Sequence, residues 1–185
     1  PICTAQNGGI TLNGAITTDG VVTIDGPVTL ATGAVSVTTA DDNITFEGTI
    51  NGGQSLTLSS GSGAIDLQGD IGTANNGTIA SLTINNTSGA AGTISLPNIG
   101  TSDAKGVSGA TAVGNTSTGT LTLGGTVYNT TGSQGYTAAT GGNNIVISGG
   151  DAAVAITTIR LLPTCICNGV FVGINVLLPD QLVLL

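Results

Sequence analysis

Residues 44–58, ITFEGTINGGQSLTL, decide the fold because apolar and polar residues alternate there with the period of a β-strand. Side chains alternate between the two faces of a strand, so Ile44, Phe46 and Ile50 share one face. Gly48 falls on that same face, where it adds no bulk and permits a bend. A short strand, a glycine bend and a second short strand fit the corner of a solenoid coil.

The same pattern, two alternating apolar residues followed by a glycine, recurs along the chain. Copies begin at Ile10, Ile44, Ile65 and Leu121, with degraded copies at Ile94 and Ile145. Successive starts are 34, 21, 29, 27 and 24 residues apart, a spacing typical of repeat architectures. Short strands such as PVTL, AVSV and SLTL, separated by Gly, Asn and Ser turns, lie between the copies. We therefore predict an all-β fold, a parallel β-helix, with a β-sandwich as the alternative.

Composition supports an all-β fold and indicates two regions. The 185 residues contain no Met, no Trp, two Tyr and two Phe, so Ile, Leu, Val and Ala must fill the core. β-Branched residues favour strands, and the 31 glycines favour turns. We predict a β-solenoid domain over residues 1–160 and an apolar, cysteine-containing tail over residues 161–185.

Charge excludes several classes of function. The chain contains ten acidic and two basic residues, which gives a net charge of −8. Nucleic-acid binding requires a basic surface, so this class of function is excluded. An anionic membrane surface would repel the chain, and no uninterrupted apolar run is long enough to span a bilayer. The absence of His removes the commonest general base and metal ligand. We expect no nucleic-acid partner and no membrane insertion.

Two stretches resemble a known family. Residues 43–72, NITFEGTINGGQSLTLSSGSGAIDLQGDIG, and residues 121–150, LTLGGTVYNTTGSQGYTAATGGNNIVISGG, are similar to the repeats of giant bacterial surface adhesins of the filamentous-haemagglutinin and autotransporter type. In both stretches a Gln is followed, after one intervening residue, by a residue with a large side chain: Gln54-Ser-Leu56 in the first and Gln134-Gly-Tyr136 in the second.

That resemblance covers about residues 10–150 and has consequences for fold and location. It implies a right-handed parallel β-helix, secretion, and a stalk or adhesive role at the cell surface, with surface glycans among the partners. The chain departs from the family at both ends, since no secretion domain is recognisable and the tail after Arg160 is not a repeat.

The cysteines are predicted to form a disulfide. Cys3, Cys165 and Cys167 are the three thiols of the chain, and in a secreted protein a disulfide is the usual use of such residues. Cys3 with Cys165 or Cys167 would tie the two ends, within one subunit or between neighbours, and one thiol is left over. Three thiolates without a His make a poor metal site.

The tail is far more apolar than the repeats, and it predicts assembly. A solenoid has two open ends that must be capped or paired, and no polar capping helix is recognisable in the sequence. The tail therefore either folds back as a cap or docks on the next subunit as an added strand, and we favour docking, which gives a homo-oligomer or filament. The candidate assembly residues are Val170, Phe171, Val172, Ile174, Val176, Leu177 and Leu178.

Oxygen-bearing side chains suggest two further kinds of site. Asp41, Asn43 and Glu47 share one strand parity and could bind calcium, which prefers hard oxygen ligands, although such residues also cap turns. Polysaccharide cleavage would need a converging carboxylate pair, for which Asp41 with Asp42 and Asp66 with Asp70 are the candidates. No catalytic residue is predicted, and calcium is the one cofactor considered.

Outward threonines give the last alternative. Thr is central in ITL, VTI, VTL, ITF and LTL, which places Thr11, Thr23, Thr29, Thr45, Thr57, Thr83 and Thr122 outward. Flat ranks of threonine can order water, as in an ice-binding surface, although Thr is also simply a good strand residue. We predict a non-enzymatic, extracellular structural rod, either a self-assembling surface filament or an adhesin stalk. The alternatives are a glycan- or ice-binding module and a polysaccharide-cleaving enzyme.

Overall fold

The computed structural model describes residues 8–89, 92–139 and 145–148, and the backbone alone of residues 2–4 and 155–156. These residues form eighteen β-strands, and no helix occurs among them. Each strand pair of the described residues is parallel. The described residues form a β-solenoid of about five turns. The prediction of a parallel β-helix is confirmed, and the sandwich alternative, which requires antiparallel sheets, is wrong.

The strands, numbered in chain order, form three faces. Sheet A contains β1 (Ile2–Thr4), β4 (Val22–Asp25), β7 (Ile44–Phe46), β10 (Ile65–Leu67), β12 (Gly92–Leu96), β14 (Thr118–Leu123) and β17 (Ile145–Ile147). Sheet B contains β2 (Ile10–Leu12), β5 (Val28–Leu30) and β8 (Ile50–Gly52), continues through single bridges at Ile71 and Ile99, and ends with β15 (Val127–Tyr128) and β18 (Ala155–Ile156). Sheet C contains β3 (Ala15–Thr18), β6 (Val35–Thr39), β9 (Leu56–Ser60), β11 (Leu82–Asn86), β13 (Thr111–Val113) and β16 (Gln134–Tyr136).

Each coil passes through sheet A, then sheet B, then sheet C, and the coils stack in register. In sheet A the aligned residues are Val22, Ile44, Ile65, Ile94, Leu121 and Ile145. Because a shift of one residue would turn the apolar side chains outward, this register is fixed by the core. The described part of the chain contains no helix long and apolar enough to cross a membrane.

The register corrects one copy of the predicted repeat. The copy at Ile10 lies in β2 and β3, on sheets B and C, whereas the copies at Ile44 and Ile65 begin in sheet A and end in sheet B. The true counterpart is VTIDGPV from Val22, which has the same alternation and glycine. With Val22 as a start, the coil lengths are 22, 21, 29, 27 and 24 residues by subtraction of the aligned positions, and the anomalous spacing of 34 disappears.

The core is a continuous column of aliphatic side chains. One inward rank runs through Ile24, Phe46 and Leu67 of neighbouring coils, and all three side chains are buried. Alternating burial is explicit in β6, where Val35, Val37 and Thr39 are buried and the residues between them are partly exposed. Removal of this apolar surface from water is the main driving force of the fold.

Candidate functional site

The corner between sheet A and sheet B is built on stacked glycines. A Cβ placed on Gly48 would lie closer than 3.0 Å to backbone atoms of Gly26, and one on Gly69 would collide in the same way with Gly48. At Gly48 and Gly69 the backbones of successive coils therefore meet with no room for a side chain. The predicted glycine corner is confirmed, and its physical reason is close backbone approach between coils.

The same corner is continued by an asparagine. Asn98 Oδ1 accepts hydrogen bonds from the backbone N–H of Thr126 at 2.7 Å and of Val127 at 3.0 Å. On the opposite side, its Nδ2 donates to Asp70 Oδ1 at 3.0 Å. One amide thus links three coils and satisfies backbone donors that the turn leaves without a strand partner.

The proposed calcium residues lie at and beside the corner between sheet C and sheet A. Asp41 Oδ1 accepts the backbone N–H of Ser62 at 2.9 Å, and Asn43 Oδ1 accepts that of Ala64 at 2.8 Å. Both side chains therefore cap the turn of the next coil, while Glu47 is exposed on sheet A. Among the side chains that the structure describes, no three acidic, His or Cys residues come together as a metal-binding group.

Two of the four carboxylates considered for catalysis, Asp66 and Asp70, accept hydrogen bonds from side-chain amides. Asp66 projects outward from sheet A and accepts a hydrogen bond from Gln68 Nε2 at 2.9 Å. Asp70 lies at the glycine corner and accepts from Asn98. An open depression of about 220 Å³ on sheet A is lined by Leu67, Gln68, Ser95, Leu96, Pro97 and Gly124, none of which is titratable. Absence of enzymatic activity stays a prediction.

The threonines predicted to point outward do so, but they do not share a face. Thr11 and Thr29 lie on sheet B, Thr57 and Thr83 on sheet C, and the other three on sheet A. The sheet A rank is interrupted, since Asp66 and Ser95 occupy the positions between Thr45 and Thr122. A continuous threonine surface is therefore not formed by these seven residues, and the ice- and glycan-binding alternatives stay predictions.

A tyrosine pair closes the core near β15 and β16, and sequence reasoning missed it. The rings of Tyr128 and Tyr136 pack edge to face with centroids 6.0 Å apart. Tyr128 OH donates to the carbonyl of Leu96 at 3.1 Å and accepts the N–H of Gly125 at 2.9 Å. Tyr136 OH donates to Gln134 Oε1 at 2.7 Å. Burial raises the pKa of Tyr128 to about 12 and also raises the pKa of Tyr136.

The second Gln motif has a different register from the first. Gln134 is aligned with Thr111 and Leu82, and through them with Leu56, so it occupies an inward position. Gln54 lies two residues before that position. The shared Gln-x-large pattern therefore does not mark structurally equivalent residues.

The stack of described coils ends in uncovered core residues. Ile145 and Ile147 of β17 are aligned with Leu121 and Leu123 of the preceding coil. They nevertheless remain 45% and 44% exposed, whereas Leu121 and Leu123 are 0% and 1% exposed. The described residues thus leave these inward-facing apolar side chains open at this edge, which we call the β17 end face.

The remaining predicted residues lie largely outside the described part. Cys3 belongs to β1, in register with Ile24, and only its backbone is described. Outside the described residues are Cys165, Cys167, Val170, Phe171, Val172, Ile174, Val176, Leu177 and Leu178. The disulfide, the boundary at residue 161 and the assembly segment therefore stay predictions. Comparison with protein-family models, curated proteins and solved structures finds no match.

Proposed function

We propose that this protein is a non-enzymatic, extracellular structural rod whose subunits assemble end to end, as in a surface filament or an adhesin stalk. The observation that carries the proposal is the β17 end face. A solenoid whose inward Ile145 and Ile147 remain exposed gains stability when another coil is stacked over them.

Backbone pairing supports the same proposal. Strands of the described coils pair in parallel along sheets A, B and C, so an added coil extends three ladders at once. Each new ladder supplies hydrogen bonds and removes an unpaired strand edge. We propose that the apolar residues between Val170 and Leu178 join one subunit to the next, which makes the partner a second copy of this chain.

The chemistry of the described side chains fits a scaffold. The side-chain oxygens of Asp41, Asn43 and Asn98 accept hydrogen bonds from backbone N–H groups of the neighbouring coil. The family resemblance and the paucity of charge are consistent with secretion to the cell surface. These three side chains hold coils together and need no substrate to satisfy their oxygens.

Electron microscopy and sedimentation of the full chain test the proposal with a matched pair of variants. Ile147→Asp places a charge on the inward rank of the β17 end face, whereas Val146→Asp places the same charge on the outward side of the same strand. Wild type and Val146→Asp should form rods whose length grows with concentration, and Ile147→Asp should remain short. Dispersed single particles of wild-type protein under all conditions, or equal lengths for the two variants, would overturn it.

A further inference from the structure

The outward side of sheet C contains only small, uncharged residues in the strands themselves. Its first rank runs through Ala15, Ser36, Thr57, Thr83, Ala112 and Gly135. The second rank runs through Thr17, Thr38, Ser59 and Asn85. Because the coils are in register, these side chains form a regular grid, which we call the sheet C face.

Acidic groups of the described residues lie elsewhere. Asp25, Glu47 and Asp66 project from sheet A or its edge, and Asp70 lies at the corner between sheets A and B. The turns between sheet C and sheet A carry Asp19, Asp41 and Asp42, and Asp103 lies in the turn that precedes β13. The strands of sheets B and C both lack acidic residues, and of these two faces sheet C is the one that forms an uninterrupted six-stranded ladder. Two copies with a net charge of −8 can therefore bring their sheet C faces together without apposing like charges from the strands.

We propose that the sheet C face is a side-by-side docking surface for a second copy of this chain, distinct from end-to-end joining. Short side chains at a regular coil spacing allow two such faces to approach closely. The same kind of contact occurs between paired cross-β sheets, where identical side chains from the two sheets pack tightly together. Docking would remove water from the hydroxyl groups next to the grid. The free-energy cost of that dehydration is partly offset because Ser81 Oγ already donates a hydrogen bond to Ser55 Oγ of the neighbouring coil at 2.8 Å.

The size of the surface sets the strength of the contact. Six strands at about 4.8 Å, each presenting about 15 Å of length, cover roughly 400 Å² per copy, or roughly 800 Å² in a pair. Specific interfaces usually bury about 1,200 Å² or more. One pair of subunits therefore associates weakly, and the contact becomes strong when several subunits of one rod face several of another.

Paired substitutions at the centre of the face distinguish a docking surface from a general effect of net charge. Thr57→Lys and Thr57→Glu add opposite charges to an exposed position of β9, and both should raise the dissociation constant of side-by-side pairing about a hundredfold or more. Thr45→Lys and Thr45→Glu make the same changes on sheet A and should leave pairing unchanged. Circular dichroism and thermal melting verify that each variant folds.

Small-angle X-ray scattering over a wide concentration range separates this proposal from end-to-end assembly, because pairing increases particle thickness and end joining increases particle length. Thickening of wild type that both Thr57 variants abolish is the expected result. Constant thickness at all concentrations overturns side-by-side docking and leaves end-to-end joining standing. Stronger pairing of Thr57→Lys with weaker pairing of Thr57→Glu also overturns it, as does binding of the face to ice or crystalline polysaccharide with no self-association.

Discussion

At the scale of single residues, the corner between sheet A and sheet B requires glycine at positions 48 and 69 because the backbones of neighbouring coils leave no space for a Cβ atom there. Gly26, Gly48 and Gly69 stack there, and a Cβ on Gly48 or Gly69 would enter the backbone of the coil beside it. The sequence places these glycines at a fixed offset after each strand, so their role in a corner could be predicted. Their close approach could not, because it depends on which coils are neighbours.

Gly48→Ala should therefore be strongly destabilising. The added methyl group must displace the backbone of Gly26, and we expect a loss of about 2–4 kcal/mol in the free energy of unfolding. Gly53→Ala is the matched control, since a Cβ there meets nothing within 4 Å, and it should stay within about 1 kcal/mol of wild type. Equal denaturant midpoints for the two variants would contradict the stacked corner.

The tyrosine pair predicts how stability depends on alkaline pH. Burial raises the pKa of Tyr128 to about 12, above its ordinary value of 10.0, and that of Tyr136 is raised as well. Between pH 10 and about pH 12 the unfolded chain has released the phenolic proton of Tyr128, whereas the folded chain retains it. The free energy of unfolding therefore falls as pH rises through this range. Below pH 10 this contribution is fully present, and it is lost through about pH 12.

Thermal melting between pH 9 and 12 checks that dependence, with tyrosine absorbance as a direct readout of phenolate formation. Tyr136→Phe should flatten the fall in melting temperature, because one of the two raised phenols is removed. Ionisation of both tyrosines in the folded protein near pH 10 would show that the rings are not buried as described.

At the scale of elements, strand parity separates core from surface. In β7 the side chains of Ile44 and Phe46 are buried while Thr45 between them is partly exposed, as the alternation predicts. Alternation is a local property, so sequence alone is sufficient to assign the inward face of most strands. Phe46 has the largest buried side chain in its strand and lies between Ile24 and Leu67.

Phe46→Ala and Thr45→Ala test this parity within one strand. Phe46→Ala leaves a cavity in the column and should cost about 3–5 kcal/mol, whereas Thr45→Ala should cost about 0.5 kcal/mol. Urea denaturation measures both. A larger loss for Thr45→Ala than for Phe46→Ala would mean that the strand is turned over.

Alignment between coils was harder to predict than parity. The copy at Ile10 fits the glycine repeat and Gln134-Gly-Tyr136 fits the Gln-x-large pattern, yet the first lies on other sheets and the second in another register. Coils of 21 to 29 residues differ mainly in their turns, so a pattern match cannot tell which strand of a coil it marks. The tyrosine pair escaped prediction for a related reason, since Tyr128 and Tyr136 meet only when the turn between them is folded.

At the scale of the whole molecule, the described coils form one column with ladders on three sides and an open β17 end face. The candidate site predicted from sequence, the apolar tail, lies outside the described residues. The open end face could not be foreseen from sequence, because Ile145 and Ile147 read as ordinary core positions. Only their exposure in the folded chain sets them apart from Leu121 and Leu123.

X-ray fibre diffraction from aligned assemblies of the full chain tests end-to-end stacking most directly. Coils that continue from one subunit into the next have strands perpendicular to the long axis, so a meridional reflection at about 4.8 Å is predicted. A reflection of that spacing on the equator, or assemblies that lack it, would contradict end-to-end stacking of the solenoid.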